Sequence, residues 1–182
     1  MIVASIDVET SGLDPATSDL LSVGLVIFNT NTTFLAPIIT QEWLVDHDHI
    51  KGHPIALKIN ANLIQRISNN EGTGIQTISR ELYCYLEQRN CRLTFAGKNF
   101  SSFDNEFLKR HMPQWSDIRM LGGHRTLDPG SMFAIASDVV PPDLKTCCER
   151  AGVIYNSVYA HSALYDANLV AQCIFAFLKG FK

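Results

Sequence analysis

The chain has 182 residues, 46% of them hydrophobic and 18% charged, with a formal net charge of −3. That balance fits one domain over 1–182 with a core of its own. No apolar run reaches the length of a bilayer span, and the opening Met1-Ile2-Val3-Ala4-Ser5-Ile6 carries no basic stretch, so neither a membrane segment nor a signal peptide is expected. The five cysteines (Cys84, Cys91, Cys147, Cys148, Cys173) form no Cys-x-x-Cys motif. Their odd number fits a reducing, cytoplasmic setting.

The first element is a strand over Ile2–Glu9. Side chains alternate along a strand, so Asp7 and Glu9 share a face about 6.6 Å apart. Two such carboxylates repel unless they are protonated or bridged by a cation. Alone, an Asp-x-Glu pair reads as a strand edge with solvated acids. Thr10-Ser11-Gly12-Leu13-Asp14-Pro15 is a turn. Leu20–Asn29 is nearly continuously apolar, which predicts a strand covered on both faces. Two further extended pieces follow, over 33–39 and 41–45. Asp46-His47-Asp48-His49 with His53 has ligand-type residues but no structural zinc spacing, and reads as a polar loop near the substrate path. Ile55, Ile59, Leu63 and Ile67 give a helical stripe over 54–67, a break spans 68–74, and a second helix runs over 75–88 with Ile78, Leu82, Tyr85 and Leu86 inward.

Arg92–Ala96 is a short strand. Ser101 or Ser102 then caps a helix through His111. On that helix Asp104 shares a face with Phe107 and Leu108, the stripe that should meet the core. Ser101-x-x-Asp104 also fits a capping box, which needs no buried acid. An edge strand over 122–126, a turn at Asp128-Pro129-Gly130 and a helix over 144–151 follow. The last helix is capped at Ser162 and runs to about Lys179, with Asp166 at the head of its apolar stripe. His161 lies just before it, on a loop. Three hairpin-like strands and then strands alternating with helices predict an α/β fold with a mixed sheet.

Asp7-Val8-Glu9-Thr10-Ser11-Gly12-Leu13, Asn99-Phe100-x-x-Phe103-Asp104 and His161-x-x-x-x-Asp166 together resemble the three motifs of the DEDDh 3′→5′ exonucleases. Proofreading subunits, oligoribonuclease and ribonuclease T belong to that family. A sister branch carries tyrosine four residues before the last aspartate; Ser162 stands there, so the histidine branch is indicated. Lys98 stands where proofreading members carry histidine. The resemblance implies a ribonuclease-H-like fold, a mixed central β-sheet flanked by helices, and a single exonuclease domain over 1–182. It also implies that the backbone of Thr10 to Leu13, with Asn99 and Phe103, holds the terminal nucleotide.

Hard oxygen donors without cysteine suit Mg²⁺ or Mn²⁺. Asp7, Glu9, Asp104 and Asp166 can hold two such ions, the arrangement of a two-metal phosphodiesterase. An imidazole can take and give a proton near neutral pH, so the residue type of His161 suits a general base. The expected reaction removes nucleoside 5′-monophosphates from single-stranded DNA or RNA 3′ ends. Two ions would bring the loaded charge from −3 to about +1. Phosphate contacts are therefore expected to be local, with Lys98, Lys109, Arg110, Arg119, Arg125 and Lys145 as candidates, and substrates to be short. A catalytically silent nucleic-acid-binding or polymerase-associated module and a metal-dependent endonuclease of related fold stand as alternatives. The sequence does not choose between ribose and deoxyribose, or between a monomer, a homodimer and a polymerase partner.

Overall fold

The computed structural model describes residues 1–180. Strands β1 (Ile2–Thr10), β2 (Leu20–Asn29) and β3 (Pro37–Leu44) make an antiparallel meander. On the other side of β1, β4 (Leu93–Ala96) and β5 (Gly122–Leu127) add in parallel, giving the order β3-β2-β1-β4-β5. The sheet is therefore mixed, with its change of direction at β1.

The helices are α1 (Pro54–Ile59), α2 (Ala61–Arg66), α3 (Ile75–Glu87), α4 (Asp104–His111), α5 (Trp115–Met120), α6 (Pro129–Met132), α7 (Leu144–Ala151) and α8 (Ala163–Lys179). Strand alternation divides them between two layers. Ala4, Ile6 and Val8 of β1 face Ile78, Leu82 and Leu86 of α3, Phe107 and Leu108 of α4, and Trp115 and Ile118 of α5. On the opposite face Val3, Val26 and Phe28 meet Ala167, Val170, Ala171 and Ile174 of α8. Strand β2 is thus buried from both sides, as its unbroken apolar run requires. α7 packs behind α8 through Cys147, Cys148, Leu169 and Cys173.

Several local expectations change. The two extended pieces over 33–39 and 41–45 merge into one strand, β3, which starts only at Pro37 and pairs with β2; residues 33–36 lie outside the sheet. The helix over 54–67 is broken at Asn60 into α1 and α2, and a π-helical turn follows over Ile67–Glu71. Only the second half of its stripe faces a core: Ile55 is 65% and Ile59 52% exposed, whereas Leu63 and Ile67 pack on Leu21 and Leu44. A helical period shows that an apolar face exists, not what covers it. α4 starts at Asp104 with Phe103 in the capping position. Ser102 instead donates to the Asn99 carbonyl, and Ser101 bonds Thr126, so neither serine caps. Asp128-Pro129-Gly130 is the start of α6, capped by Asp128, whose Oδ1 accepts from Gly130 N at 2.7 Å.

Two close approaches set up the site. β4 stops pairing with β1 at Ser5, and the chain leaves past Gly97, where a Cβ would lie 2.6 Å from the Ile6 carbonyl. At Gly24 of β2, a Cβ would lie 2.2 Å from the Ala163 carbonyl carbon. Only a bare backbone lets the start of α8 rest this close to the sheet.

Candidate active site

Where β4 turns away, β1 runs on without a parallel neighbour. The freed Val8 N–H donates 3.0 Å to Asp104 Oδ1 at the head of α4. A side chain thus takes over the ladder bond and fixes the Asp104 carboxylate between Asp7 and Glu9 along the strand. Asp7 and Glu9 lie on the α8 face, in line with Val3 and Ser5; Ser5 Oγ donates 2.8 Å to the Ala167 carbonyl and locks α8 to that face. Asp166, in the first turn of α8, arrives from above. One ligand atom each from Glu9, His161 and Asp166 lies within 4.8 Å of the others.

Electrostatics register the crowding. Burial, then Asp104, Asp166 and Glu9, holds the Asp7 carboxyl well above the usual carboxylate range. Burial and the Asp166 charge push Glu9 up to about 7, against a hydrogen bond from Asn60. Burial pushes Asp104 up to about 8 despite backbone donors that include Val8. Burial also raises Asp166, more than the neighbouring His161 lowers it. Asp166 Oδ1 is buried without a hydrogen-bond partner. Packed acids with an orphaned oxygen are what a cation would satisfy.

His161 is exposed, at a left-handed φ of 65°, and its N–H donates 3.4 Å to Asp166 Oδ2. Thr10 is buried, its hydroxyl turned back 2.7 Å onto the Gly12 carbonyl. Leu13 is 85% exposed. It lines an open groove of about 620 Å³ with Gly12, His53, Ile55, Ala56 and Ile59. Asn99 and Phe103 do not line that groove. Asn99 sits at φ 59°, its side chain accepting 2.8 Å from Lys98 Nζ and its N–H donating 3.0 Å to Asp128. Phe103 packs on Phe107, ring centroids 5.1 Å apart, and joins the core.

Two residues of this region escaped the sequence reading. Asn60 is buried at the break between α1 and α2, where Nδ2 donates 3.1 Å to the Thr10 carbonyl. Glu42 of β3 accepts from Ser162 Oγ at 3.3 Å. A polar residue inside the Ile55–Ile59–Leu63 stripe was the available signal for the first; the second left none. The histidine loop does not assemble a cation site among the described residues. His47 Nε2 lies 2.8 Å from the Leu20 carbonyl, and His53 accepts from Ile55 N. Of the cations singled out for phosphate, Lys109 pairs with Glu106, Lys145 with Glu149, and Arg119 lies over the Phe95 ring.

No family model matches the chain. A ribonuclease T from Wigglesworthia glossinidia brevipalpis is 26% identical over 175 residues, covering 92% of this chain and 80% of that protein. The nuclease domain of 3′hExo, a DEDDh family member bound to rAMP, superposes with a TM-score of 0.74 at 13% identity, covering 99% of this chain and 92% of that one. E. coli exonuclease I in complex with a dT13 oligonucleotide gives a TM-score of 0.69 at 14% identity, over 96% of this chain and 40% of that one. The fold is therefore ribonuclease-H-like. Sequence likeness, fold and acidic motifs point the same way: the chain is similar to a ribonuclease T in sequence and to DEDDh exonucleases in fold. Its sequence likeness to that ribonuclease T spans 175 residues.

Proposed function

We propose that this chain trims single-stranded nucleic acid from the 3′ end to nucleoside 5′-monophosphates. In this reading Asp7, Glu9, Asp104 and Asp166 hold two Mg²⁺ or Mn²⁺ ions, and His161 is the general base. The observation that carries the reading is the approach of Glu9, His161 and Asp166 to within 4.8 Å of one another beside a buried Asp166 oxygen without a partner, with Asp104 fixed by the Val8 N–H between Asp7 and Glu9 along β1. The donor set fits hard divalent cations, since all four acids offer oxygen and no cysteine is among the grouped ligands. When bound, such ions supply Lewis acidity at the phosphate and a water of lowered pKa.

The chain's own residues do the rest. His161 presents its ring beside Glu9 and Asp166, within reach of a water's proton, and its exposure lets it pass that proton to solvent. Leu13, with Ile55, Ala56 and Ile59, offers an apolar wall for the terminal base. The backbone of Thr10 to Leu13 frames the same nucleotide, while Phe103 supports α4 from the core side and Asn99 is held by Lys98 and Asp128. One domain over 1–182 carries the whole activity, and its setting is cytoplasmic. Among the described residues no helix is long and apolar enough to cross a membrane.

The test is digestion of matched short RNA and DNA labelled at the 5′ end, with Mg²⁺, Mn²⁺ or chelator. A ladder shortening by single nucleotides from the 3′ end, absent with chelator and in Asp104→Ala, is expected. Internal cuts, or no cutting of any substrate, would overturn the reading.

A further inference from the structure

We infer that Glu42 is a positioning residue for the His161 segment, seated against the sheet in the gap that Gly24 leaves open. The consequence for catalysis rests on the proposed role of His161; the positioning itself does not.

The register of the sheet carries this inference. Asp7 pairs with Gly24, and Gly24 pairs with Glu42, so the three form one row across β1, β2 and β3 on the α8 face. The row has a carboxylate at each end and nothing in the middle. The Ala163–Leu164 peptide occupies that middle: a Cβ on Gly24 would lie 2.2 Å from the Ala163 carbonyl and 2.4 Å from Leu164 N. The start of α8 is thereby lowered between two acidic strands. On one side Asp166 comes to Glu9. On the other, Ser162 Oγ donates 3.3 Å to Glu42 Oε1.

Ser162 holds the N-cap position of α8, yet its side chain makes no cap bond. A serine there ordinarily accepts from the helix's own N–H groups. Here the hydroxyl reaches across the sheet instead. Glu42 is braced from behind: Oε2 lies 3.7 Å from Arg66 Nη1, and Arg66 Nε donates 2.9 Å to Glu71. Glu42, Arg66, Asn60 and His161 line one polar cavity of about 240 Å³ beside the acids.

His161 stands between two tethers. Its own N–H goes to Asp166, and the next residue goes to Glu42. A non-glycine residue at φ 65° keeps that conformation only where its surroundings fix it. The stretch before it, with Val158 81% and Tyr159 60% exposed, supplies little packing to do so.

The experiment compares the full chain with Glu42→Ala, Ser162→Ala, both together, and Glu42→Gln. Amide hydrogen exchange over 157–162, measured without substrate, should rise about tenfold in Glu42→Ala and in Ser162→Ala. The double variant should match the singles, because one bond is removed from either end. Glu42→Gln keeps an acceptor oxygen and should restore slow exchange. In Mg²⁺-dependent trimming of single strands, Glu42→Ala should lower kcat about 10- to 100-fold with KM little changed, and Glu42→Gln should recover most of it. Unchanged exchange in both single variants would overturn the inference, as would additive losses in the double. A wild-type chain without nuclease activity would remove the catalytic consequence, and the exchange comparison would still decide the role of Glu42.

Discussion

The acidic half of the site and the histidine half are built differently. Asp7, Glu9 and Asp104 sit on the central strand and on the helix start that takes over its ladder bond. Glu9 and Asp104 are buried, and no rotation of a loop would separate them. His161 is exposed, at a left-handed φ, before the last helix. Under the proposed function, the contrast teaches how two tasks would be divided. Holding concentrated negative charge in place needs a rigid, desolvated frame. Moving a proton between a water and solvent needs a side chain that can reach both.

The sharpest way to break this contrast is to remove one residue from each half. Asp104→Asn keeps an oxygen to accept from Val8 N and preserves the fold, but deletes one negative charge of the acidic set. Loss of several kcal/mol of charge stabilisation at the phosphate corresponds to a fall of about 10³-fold or more in kcat. His161→Ala should cost less, on the order of 10² to 10³-fold. The two should separate in cation binding: added Mn²⁺ should raise the melting temperature of His161→Ala as it does the wild type, and raise that of Asp104→Asn much less. Equal cation responses in the two variants would erase the distinction between the halves.

A smaller effect sharpens the same point through pH. The sign follows from the direction of the shifts. Glu9 and Asp104 have folded-state pKa values of about 7 and about 8, both above those of the unfolded chain. The folded, cation-free protein therefore holds protons that the unfolded chain releases. Their favourable contribution is fully present below the ordinary carboxylate range and is lost as pH rises through about 7 to about 8. With chelator present, stability should fall by a few kcal/mol between acidic and mildly basic pH. Saturating Mg²⁺ or Mn²⁺ should flatten that fall, because a bound cation replaces the protons. Thermal melting across pH, with and without cation, measures both. A chelated protein as stable at pH 8.5 as at pH 5.5 would mean that the acids are not crowded as described.

How much of this was readable from the chain depends on whether a residue violates its local pattern. Asp104 on the Phe107–Leu108 stripe and Asp166 at the head of an apolar stripe are local anomalies, so each drew notice without any knowledge of pairing. Glu42 does not: a glutamate on an edge strand is ordinary, and its importance comes from a register that places it beside Gly24. Gly24 itself is hidden inside an apolar run, where it reads as a small core residue. Asn60 interrupts a helical stripe, but the period of Ile55, Ile59 and Leu63 masks the interruption. The same period gives no sign that the apolar residues of α1 face an open groove rather than the core. Local rules thus find residues that are strange where they stand. They miss residues that matter only because of what the sheet brings alongside.

Gly24 gives the smallest of the three effects and the closest test of that last point. In Gly24→Ala the new methyl group would meet backbone atoms of Ala163 and Leu164 at 2.2 to 2.4 Å, and backbone cannot swing aside as a side chain does. α8 must shift outward, against the Ser5–Ala167 bond and the packing of Val170 and Ile174. Overpacking of this kind costs about 1–3 kcal/mol. Gly74→Ala is the control: at the cap of α3 the added group meets only the end of Gln76, 3.8 Å away, at an ordinary φ of −60°. Chemical denaturation of the pair should show a loss of about 1–3 kcal/mol for Gly24→Ala and none beyond a few tenths for Gly74→Ala. Because the shifted helix carries Asp166 and adjoins His161, the Gly24 variant should also respond more weakly to added Mn²⁺. Stability equal to that of the Gly74 variant would mean that the start of α8 does not rest against β2, and the two halves of the site would lose their common seat.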